Sequence, residues 1–118
     1  MRQTEAVPSD TWDERLVNLP LRREDRLVPP DLFRGAAPPD ELGPEEAKAR
    51  IALRLRSQPE LIDQWQAYSY DKRASPEPYL DGLEVGMYDA GYQQVETYAD
   101  RVDACADFIY REVRWRLR

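Results

Sequence analysis

The residues whose types and spacing most suggest a chemical role are the carboxylates and tyrosines between Ala74 and Asp100. This stretch contains no lysine or arginine. It contains six acids and four tyrosines, which are Glu77, Asp81, Glu84, Asp89, Glu96 and Asp100, and Tyr79, Tyr88, Tyr92 and Tyr98. Carboxylates pair with Arg and Lys across interfaces, and tyrosines supply rigid contact area. The stretch is therefore either a solvated sheet face or a surface that binds a basic partner.

The sequence LEVGMYDAGYQQVETY predicts an antiparallel hairpin. Residues 89–91 are typical of a three-residue turn with glycine at the position of positive φ. In the resulting register Tyr88 faces Tyr92, and Glu84 faces Glu96. Like charges directly opposite one another destabilise a strand pair. We therefore expect the answering positive charges to lie on another molecule.

We predict that the acids and tyrosines of this region form the partner-binding surface. The predicted contact residues are Asp81, Glu84, Tyr88, Asp89, Tyr92, Glu96 and Tyr98. In this hypothesis the carboxylates supply charge, and the tyrosines supply the central anchors that usually dominate affinity. Such a face imitates the charge of a nucleic-acid strand.

The absence of histidine limits catalytic chemistry. It excludes Ser-His-Asp and Cys-His catalysis and most zinc sites. The five glycines form no phosphate-binding motif. We expect no catalytic residue, no cofactor, no metal and no enzymatic activity. The alternative is an enzyme that uses carboxylates, tyrosine and lysine, with Asp71 and Lys72 in a concave pocket.

Other reactive groups have ordinary structural explanations. The Asp71-Lys72-Arg73 cluster is either an ion-pair cluster or a functional one. The arginines of YREVRWRLR suit a helix C-terminus better than a phosphate grip. Cys105 lies on the apolar stripe of a helix and is expected to be an inert thiol. Asp103 and Asp107 have the i, i+4 spacing of a metal pair, but that spacing is more common on a solvated helix face.

Composition restricts the partner and the compartment. The chain has 118 residues, a net charge of −6 and one cysteine. An acidic chain repels phosphate backbones, so we expect no nucleic-acid partner. No apolar run approaches the roughly 20 residues needed to cross a bilayer, so we expect no membrane partner and a cytoplasmic location. The predominance of Arg over Lys suggests a high-GC bacterial genome. The oligomeric state stays open.

The elements that must position these residues form an α+β domain. Residues 1–43 hold six of the ten prolines and predict a proline-rich arm or tail. Residues 44–118 predict a single domain. Its first helix starts at Gly43-Pro44-Glu45-Glu46. A second helix, a two- or three-stranded antiparallel meander, and a C-terminal helix from about Arg101 to Leu117 follow. Asp100 is the expected N-cap of that last helix.

Three segments resemble small bacterial immunity proteins that are encoded beside polymorphic toxins. They are WQAYSYDKRASPEPYL, EVGMYDAG and DACADFIYREV, within residues 65–113. The resemblance implies a non-enzymatic inhibitor that binds one cognate toxin, and many such toxins are nucleases with basic grooves. We therefore predict an immunity-like protein with a basic toxin as its partner. The alternative binding role is an adaptor or structural subunit of a bacterial complex.

Overall fold

The fold is an α+β arrangement of helices packed on one side of a three-stranded antiparallel sheet. The computed structural model describes residues 11–22, 28–72 and 76–118. In chain order the elements are α1 (Trp12–Val17), a 3₁₀ helix (Leu19–Arg22), α2 (Pro30–Arg34), α3 (Pro44–Ser57), α4 (Glu60–Lys72), β1 (Glu77–Asp81), β2 (Glu84–Tyr88), β3 (Tyr92–Thr97) and α5 (Arg101–Arg116). The predicted fold class, the meander and the C-terminal helix are confirmed.

The number of helices differs from the prediction, because α1, the 3₁₀ helix and α2 lie within residues 1–43, where the prolines predicted an arm or tail. Pro30 occupies the first turn of α2. At that position its missing N–H is not needed and its fixed φ suits a helix. A proline that breaks a helix interior can therefore begin a helix.

The two longest helices begin where the sequence predicts. Pro44 is at the start of α3, and Glu45 and Glu46 lie in its first turn, near the positive end of the helix dipole. Asp100 caps α5, because its carboxylate accepts a hydrogen bond from the Val102 N–H at 2.6 Å.

The core is built from aromatic and aliphatic side chains of α3, α4 and α5. Trp65 packs edge-on against Tyr68 and Phe108, with ring centroids 5.5 and 6.1 Å apart. Ile51 and Ile109 are buried in the same cluster. Burying a side chain of this size contributes about 1.5–3 kcal/mol, so these helices hold the domain together.

Side chains of the N-terminal third belong to the same core. The buried cluster also contains Leu16, Val17, Leu19, Val28, Phe33 and Ala36. The Trp65 indole N–H donates to the Val17 carbonyl at 2.9 Å. Arg54 of α3 pairs with Glu14 at 2.9 Å. Residues 1–10 and 23–27 of the predicted arm lie outside the described residues, and the division at residue 43 stays a prediction.

The sheet has the order β1-β2-β3, with both pairs antiparallel. Leu80 and Val85 pair with each other and are buried against the helices. Side chains alternate along a strand, so the neighbouring positions lie on the opposite face. Helix α4 contacts β1, and α5 contacts β1 and β2, so the helices cover one face of the sheet.

The predicted pairing of Glu84 with Glu96 is wrong. Tyr88 does face Tyr92, and Met87 faces Gln93, but a β-bulge then shifts the register. Glu84 consequently faces Thr97, and Val85 faces Glu96. The bulge is made possible by a positive φ of 53° at Gln94. Such a conformation usually marks Gly or Asn, so the sequence gives no sign of it.

Candidate functional site

The candidate site is the sheet face opposite the helices, which we call the outer face. Alternation along the strands and the observed pairing assign to it Tyr79, Asp81, Glu84, Tyr88 and Tyr92. The Tyr88 and Tyr92 side chains are 40% and 69% exposed. Every residue of β3 is exposed. Large aromatic side chains thus face solvent on an otherwise well-packed domain.

Three tyrosines form a contiguous cluster on the outer face. The Tyr92 ring lies edge-on to both of its neighbours, with centroids 5.4 Å from Tyr79 and 5.2 Å from Tyr88. Gly86 makes the cluster possible. A Cβ at this position would lie 2.9 Å from the Tyr79 ring and 3.0 Å from the Gln93 carbonyl oxygen. The missing side chain lets the Tyr79 ring lie close against the strand.

The acids of the outer face contact tyrosine hydroxyls. Tyr79 donates to the Glu84 carboxylate at 2.5 Å, and Tyr70 donates to Asp81 at 3.0 Å. Burial, followed by the hydrogen bond to Glu84, raises the pKa of the Tyr79 hydroxyl. Tyr79 therefore remains a neutral donor to this carboxylate.

No positive charge answers these carboxylates within the part of the chain that the structure describes. The ion pairs formed there do not include Asp81, Glu84 or Asp89. Asp89 lies in the exposed turn beside Tyr88, where its backbone N–H donates to the Gly91 carbonyl at 2.9 Å. Five of the seven predicted contact residues thus lie on the outer face or in the adjoining turn.

The other two predicted contact residues, Glu96 and Tyr98, are directed toward α5 instead. Glu96 faces the buried Val85 across the strands, and the Arg111 guanidinium lies 3.7 Å from its carboxylate. The Tyr98 hydroxyl contacts both Glu96 and Asp107. The positive charge that we expected on another molecule is therefore present on α5 for Glu96, although not for Glu84.

Asp107 is the centre of a buried charge cluster that the sequence did not reveal. Its carboxylate lies 3.2 Å from the Lys48 ammonium and 3.1 Å from the Arg111 guanidinium. Burial alone would raise the pKa of Asp107, but hydrogen bonds from Arg111, Tyr98 and Lys48 outweigh it and lower the pKa. We name Asp107, Lys48, Arg111 and Tyr98 the Asp107 cluster; it joins α3 and α5 to the residue that directly follows β3.

The sequence interpretation missed one residue of the outer face and one residue of the Asp107 cluster, for different reasons. Tyr79 belongs to the tyrosine cluster, and its alternation with the buried Leu80 in β1 was a usable signal. Arg111 also donates to the Gln94 carbonyl at 3.0 Å and so holds the bulge. No local pattern links Arg111 to a residue seventeen positions earlier.

The arginines near the C-terminus are largely engaged within the protein. Arg116 contacts Glu77 and Glu112, each at 2.8 Å. Arg118 lies over the Trp115 ring, 3.7 Å from its centroid. These contacts agree with a structural role for the arginine run. Arg114 is exposed and adjoins a cavity of about 280 Å³ that Asp40 also lines.

The surroundings of the Cys105 thiol disfavour a reactive thiolate, and the side chain of the lysine candidate is not described by the structure. Cys105 is buried, and burial raises the pKa of its thiol, so the thiolate is disfavoured. Asp71 lies in the last turn of α4, whereas Arg73 and the Lys72 side chain lie outside the described residues. Within the described ranges, no group of three or more acids or cysteines is arranged to hold a metal.

Comparisons of the chain with known protein families, with curated proteins and with solved structures found no match. None of the helices in the described ranges has the length and apolar character required to cross a membrane.

Proposed function

We propose that this protein is an immunity-like inhibitor that binds a basic cognate toxin through the outer face. The observation that carries the proposal is an exposed three-tyrosine cluster beside carboxylates that no described cation answers. The resemblance of residues 65–113 to bacterial immunity proteins supports the same class of partner. The proposed compartment is the bacterial cytoplasm.

The tyrosines are the proposed source of most of the binding energy. Interface energy concentrates in a few central aromatic and arginine side chains, and the surrounding contacts mainly exclude water. Tyr88 and Tyr92 have the exposed area and the restricted rotamers of such anchors. The edge-on packing of the cluster also orders the rings before a partner arrives, which lowers the entropy lost on binding.

The carboxylates of the outer face favour basic partners and raise the association rate. Asp81, Glu84 and Asp89 place negative charge on one side of the molecule, and the chain as a whole carries −6. Complementary charge accelerates association and makes it sensitive to salt. A nuclease toxin is the first candidate partner, because its substrate groove must attract phosphates and would attract the outer face in the same way.

The structure changes the proposed division of roles within the site. Glu84, Asp81 and Asp89 are the proposed charge contacts, and Tyr88, Tyr92 and Tyr79 are the proposed anchors. Glu96 and Tyr98 are proposed as rim contacts, because Arg111 already lies beside the Glu96 carboxylate. We expect substitutions at these two rim positions to affect partner binding less than substitutions at Glu84 or Tyr92.

A co-expression assay tests the function. The open reading frame adjacent to the gene of this protein is expressed in a bacterial host, alone and together with this chain. We expect the neighbouring product to be toxic alone and harmless with the wild-type chain. We expect Glu84→Lys combined with Tyr92→Ala to abolish protection while the variant remains folded. A neighbour that is not toxic, or toxicity that this chain does not relieve, would contradict the proposal.

A further inference from the structure

We propose that the tyrosine cluster and Glu84 together bind one arginine side chain of the partner. This inference rests on the proposed function and specifies the chemistry at its centre. It concerns four residues, Tyr79, Tyr88, Tyr92 and Glu84. The surface is more specific than an acidic patch, since it combines ring faces and a carboxylate within one small area.

The three rings are packed so that Tyr92 is the central one. Tyr92 is edge-on to both Tyr79 and Tyr88, with interplanar angles of 72° and 65°. Tyr88 and Tyr92 are both exposed to solvent, and an aromatic ring carries partial negative charge on its face. A cation placed over such a face is attracted by the ring quadrupole. Tyr92, at 69% exposure, has the most accessible ring surface.

The Glu84 carboxylate is held beside the rings and keeps acceptor capacity. One of its oxygens, Oε2, accepts the Tyr79 hydroxyl at 2.5 Å. Its other oxygen receives no hydrogen bond from a described residue. The tyrosine therefore fixes the carboxylate beside the rings and leaves it acceptor capacity. A guanidinium stacks on an aromatic face and donates in its own plane at the same time, which an ammonium cannot do.

Elsewhere in the chain, aromatic rings are in contact with cations. Arg118 lies 3.7 Å from the Trp115 ring centroid, and Lys48 lies 5.7 Å from that of Tyr110. Those rings are paired with cations of this protein. The outer-face rings have no such cation among the described residues. The cluster resembles one half of this interaction, and charge complementarity assigns the other half to a partner.

The backbone of β2 accommodates the tyrosine cluster. Gly86 is the one position of β2 without a side chain, and it lies directly across from Tyr79. Any larger residue there would meet the Tyr79 ring at 2.9 Å. The glycine therefore fixes the distance between the tyrosine and the sheet, and with it the position of the Glu84 carboxylate. The arrangement is built into the strand pair and does not depend on side-chain rotamers alone.

The test is an NMR titration of the ¹⁵N-labelled full chain with three capped peptides at one ionic strength. The peptides are Gly-Gly-Arg-Gly-Gly, Gly-Gly-Lys-Gly-Gly and Gly-Gly-Gln-Gly-Gly. We expect the arginine peptide to shift the amide signals of Gly86, Tyr88 and Tyr92 in a saturable manner. We expect weaker shifts with lysine and none with glutamine. Removal of one exposed cation–π contact should weaken binding by about two- to fivefold.

Three variants assign the contacts. Tyr92→Leu removes the exposed ring, Glu84→Gln removes the charge, and Glu60→Gln is the control, because Glu60 is an exposed acid on α4 away from the sheet. We expect the first two variants to weaken binding of the arginine peptide and the third to have no effect. Equal shifts with all three peptides, shifts spread over unrelated acids, or unchanged binding by Tyr92→Leu would overturn the inference.

The titration and the co-expression assay fail independently. A chain that neutralises a toxin but does not bind the arginine peptide at the cluster would retain the proposed function and lose this inference. A chain that binds the arginine peptide at the cluster but protects against no toxin would retain the arginine site and lose the immunity role.

Discussion

Two tyrosine–carboxylate pairs in this protein have opposite surroundings. At the Asp107 cluster, Tyr98 contacts a carboxylate that is 1% exposed and lies near both Lys48 and Arg111. On the outer face, Tyr79 contacts Glu84, which has no described cation beside it. A tyrosine–carboxylate pair thus links buried elements at the Asp107 cluster, whereas on the outer face it lies at the protein surface.

This contrast separates stabilising residues from candidate binding residues. Desolvation makes a buried carboxylate costly unless it is paired and hydrogen-bonded, and Asp107 has both kinds of partner. Glu84 is only partly buried and retains solvent, so it needs no cation to be tolerated. A carboxylate that needs no cation from its own chain is available to a cation of a partner.

The two edges of the sheet show a similar difference. Ser69 and Gln66 of α4 hydrogen-bond to the backbone of Leu80 in β1, at 2.8 and 2.6 Å. The backbone N–H and carbonyl of Leu80 are thereby satisfied within the protein. Strand β3 is exposed along its whole length, but its bulge and the Arg111 contact to Gln94 interrupt the edge. Such interruptions discourage edge-to-edge association, so we expect a partner to bind the face of the sheet.

The largest effect is expected from Asp107→Asn. It leaves the size unchanged but removes the charge that compensates Lys48 and Arg111. We expect a loss of about 2–4 kcal/mol in the free energy of unfolding, by analogy with broken buried ion pairs. Urea unfolding at pH 7 measures it. Asp103→Asn, at an exposed position on the same helix, is the control and should change stability by less than about 0.5 kcal/mol. Equal effects of the two substitutions would contradict the structural role of the cluster.

A smaller loss is expected from Gly86→Ala. The added methyl group would meet the Tyr79 ring and the Gln93 carbonyl oxygen. Overpacking of this kind costs about 1–3 kcal/mol. Gly35→Ala is the matched control, because a Cβ there meets its neighbours at an ordinary 3.8 Å. Thermal unfolding of both variants compares them. A neutral Gly86→Ala would mean that the tyrosine cluster is not held against the strand.

The pH dependence sharpens the comparison further. The folded-state pKa of Asp107 lies below its ordinary value of 3.8. Its contribution to stability is therefore complete above pH 3.8 and is lost as the pH falls through the folded-state value. We expect the stability difference between the wild type and Asp107→Asn to be constant from pH 7 to pH 5 and to shrink below about pH 4. A difference that does not change with pH would show that the charge of Asp107 is not what stabilises the fold.

The smallest effect on stability is expected from Glu84→Gln. The amide oxygen can still accept the Tyr79 hydroxyl, so only the charge-assisted part of one hydrogen bond is lost. We expect a change of less than about 1 kcal/mol in the free energy of unfolding. Differential scanning calorimetry tests this. A loss as large as that of Asp107→Asn would place Glu84 among the structural residues and weaken its assignment to an interface.

The sequence predicted those parts of the fold that local rules control. The Asp100 cap, the proline at the start of α3, the turn at residues 89–91 and the pairing of Tyr88 with Tyr92 all follow from short-range patterns. Local rules failed at the bulge, because Gln94 adopts a positive φ, which its residue type does not predict. That one extra residue moved Glu96 away from Glu84.

The site was predictable in composition but not in its internal partners. The cation-free stretch and its tyrosines indicated residues of which several lie together on the outer face. The pairing of Glu96 with Arg111, and of Asp107 with Lys48, joins residues that lie far apart in the chain. Such contacts arise only when α3, β3 and α5 pack together, so no pattern within a single element predicts them.

The most direct test of the central claim is an affinity capture from a lysate of the source organism at low salt. Tagged wild type, Glu84→Lys/Tyr92→Ala and the control Glu60→Gln are used in parallel, and bound proteins are eluted with salt and identified by mass spectrometry. We predict that wild type and control retain the same basic toxin domain and that the outer-face variant, although folded, does not. A partner that binds all three chains equally, or one that is not basic, would contradict the assignment of the outer face as the binding surface.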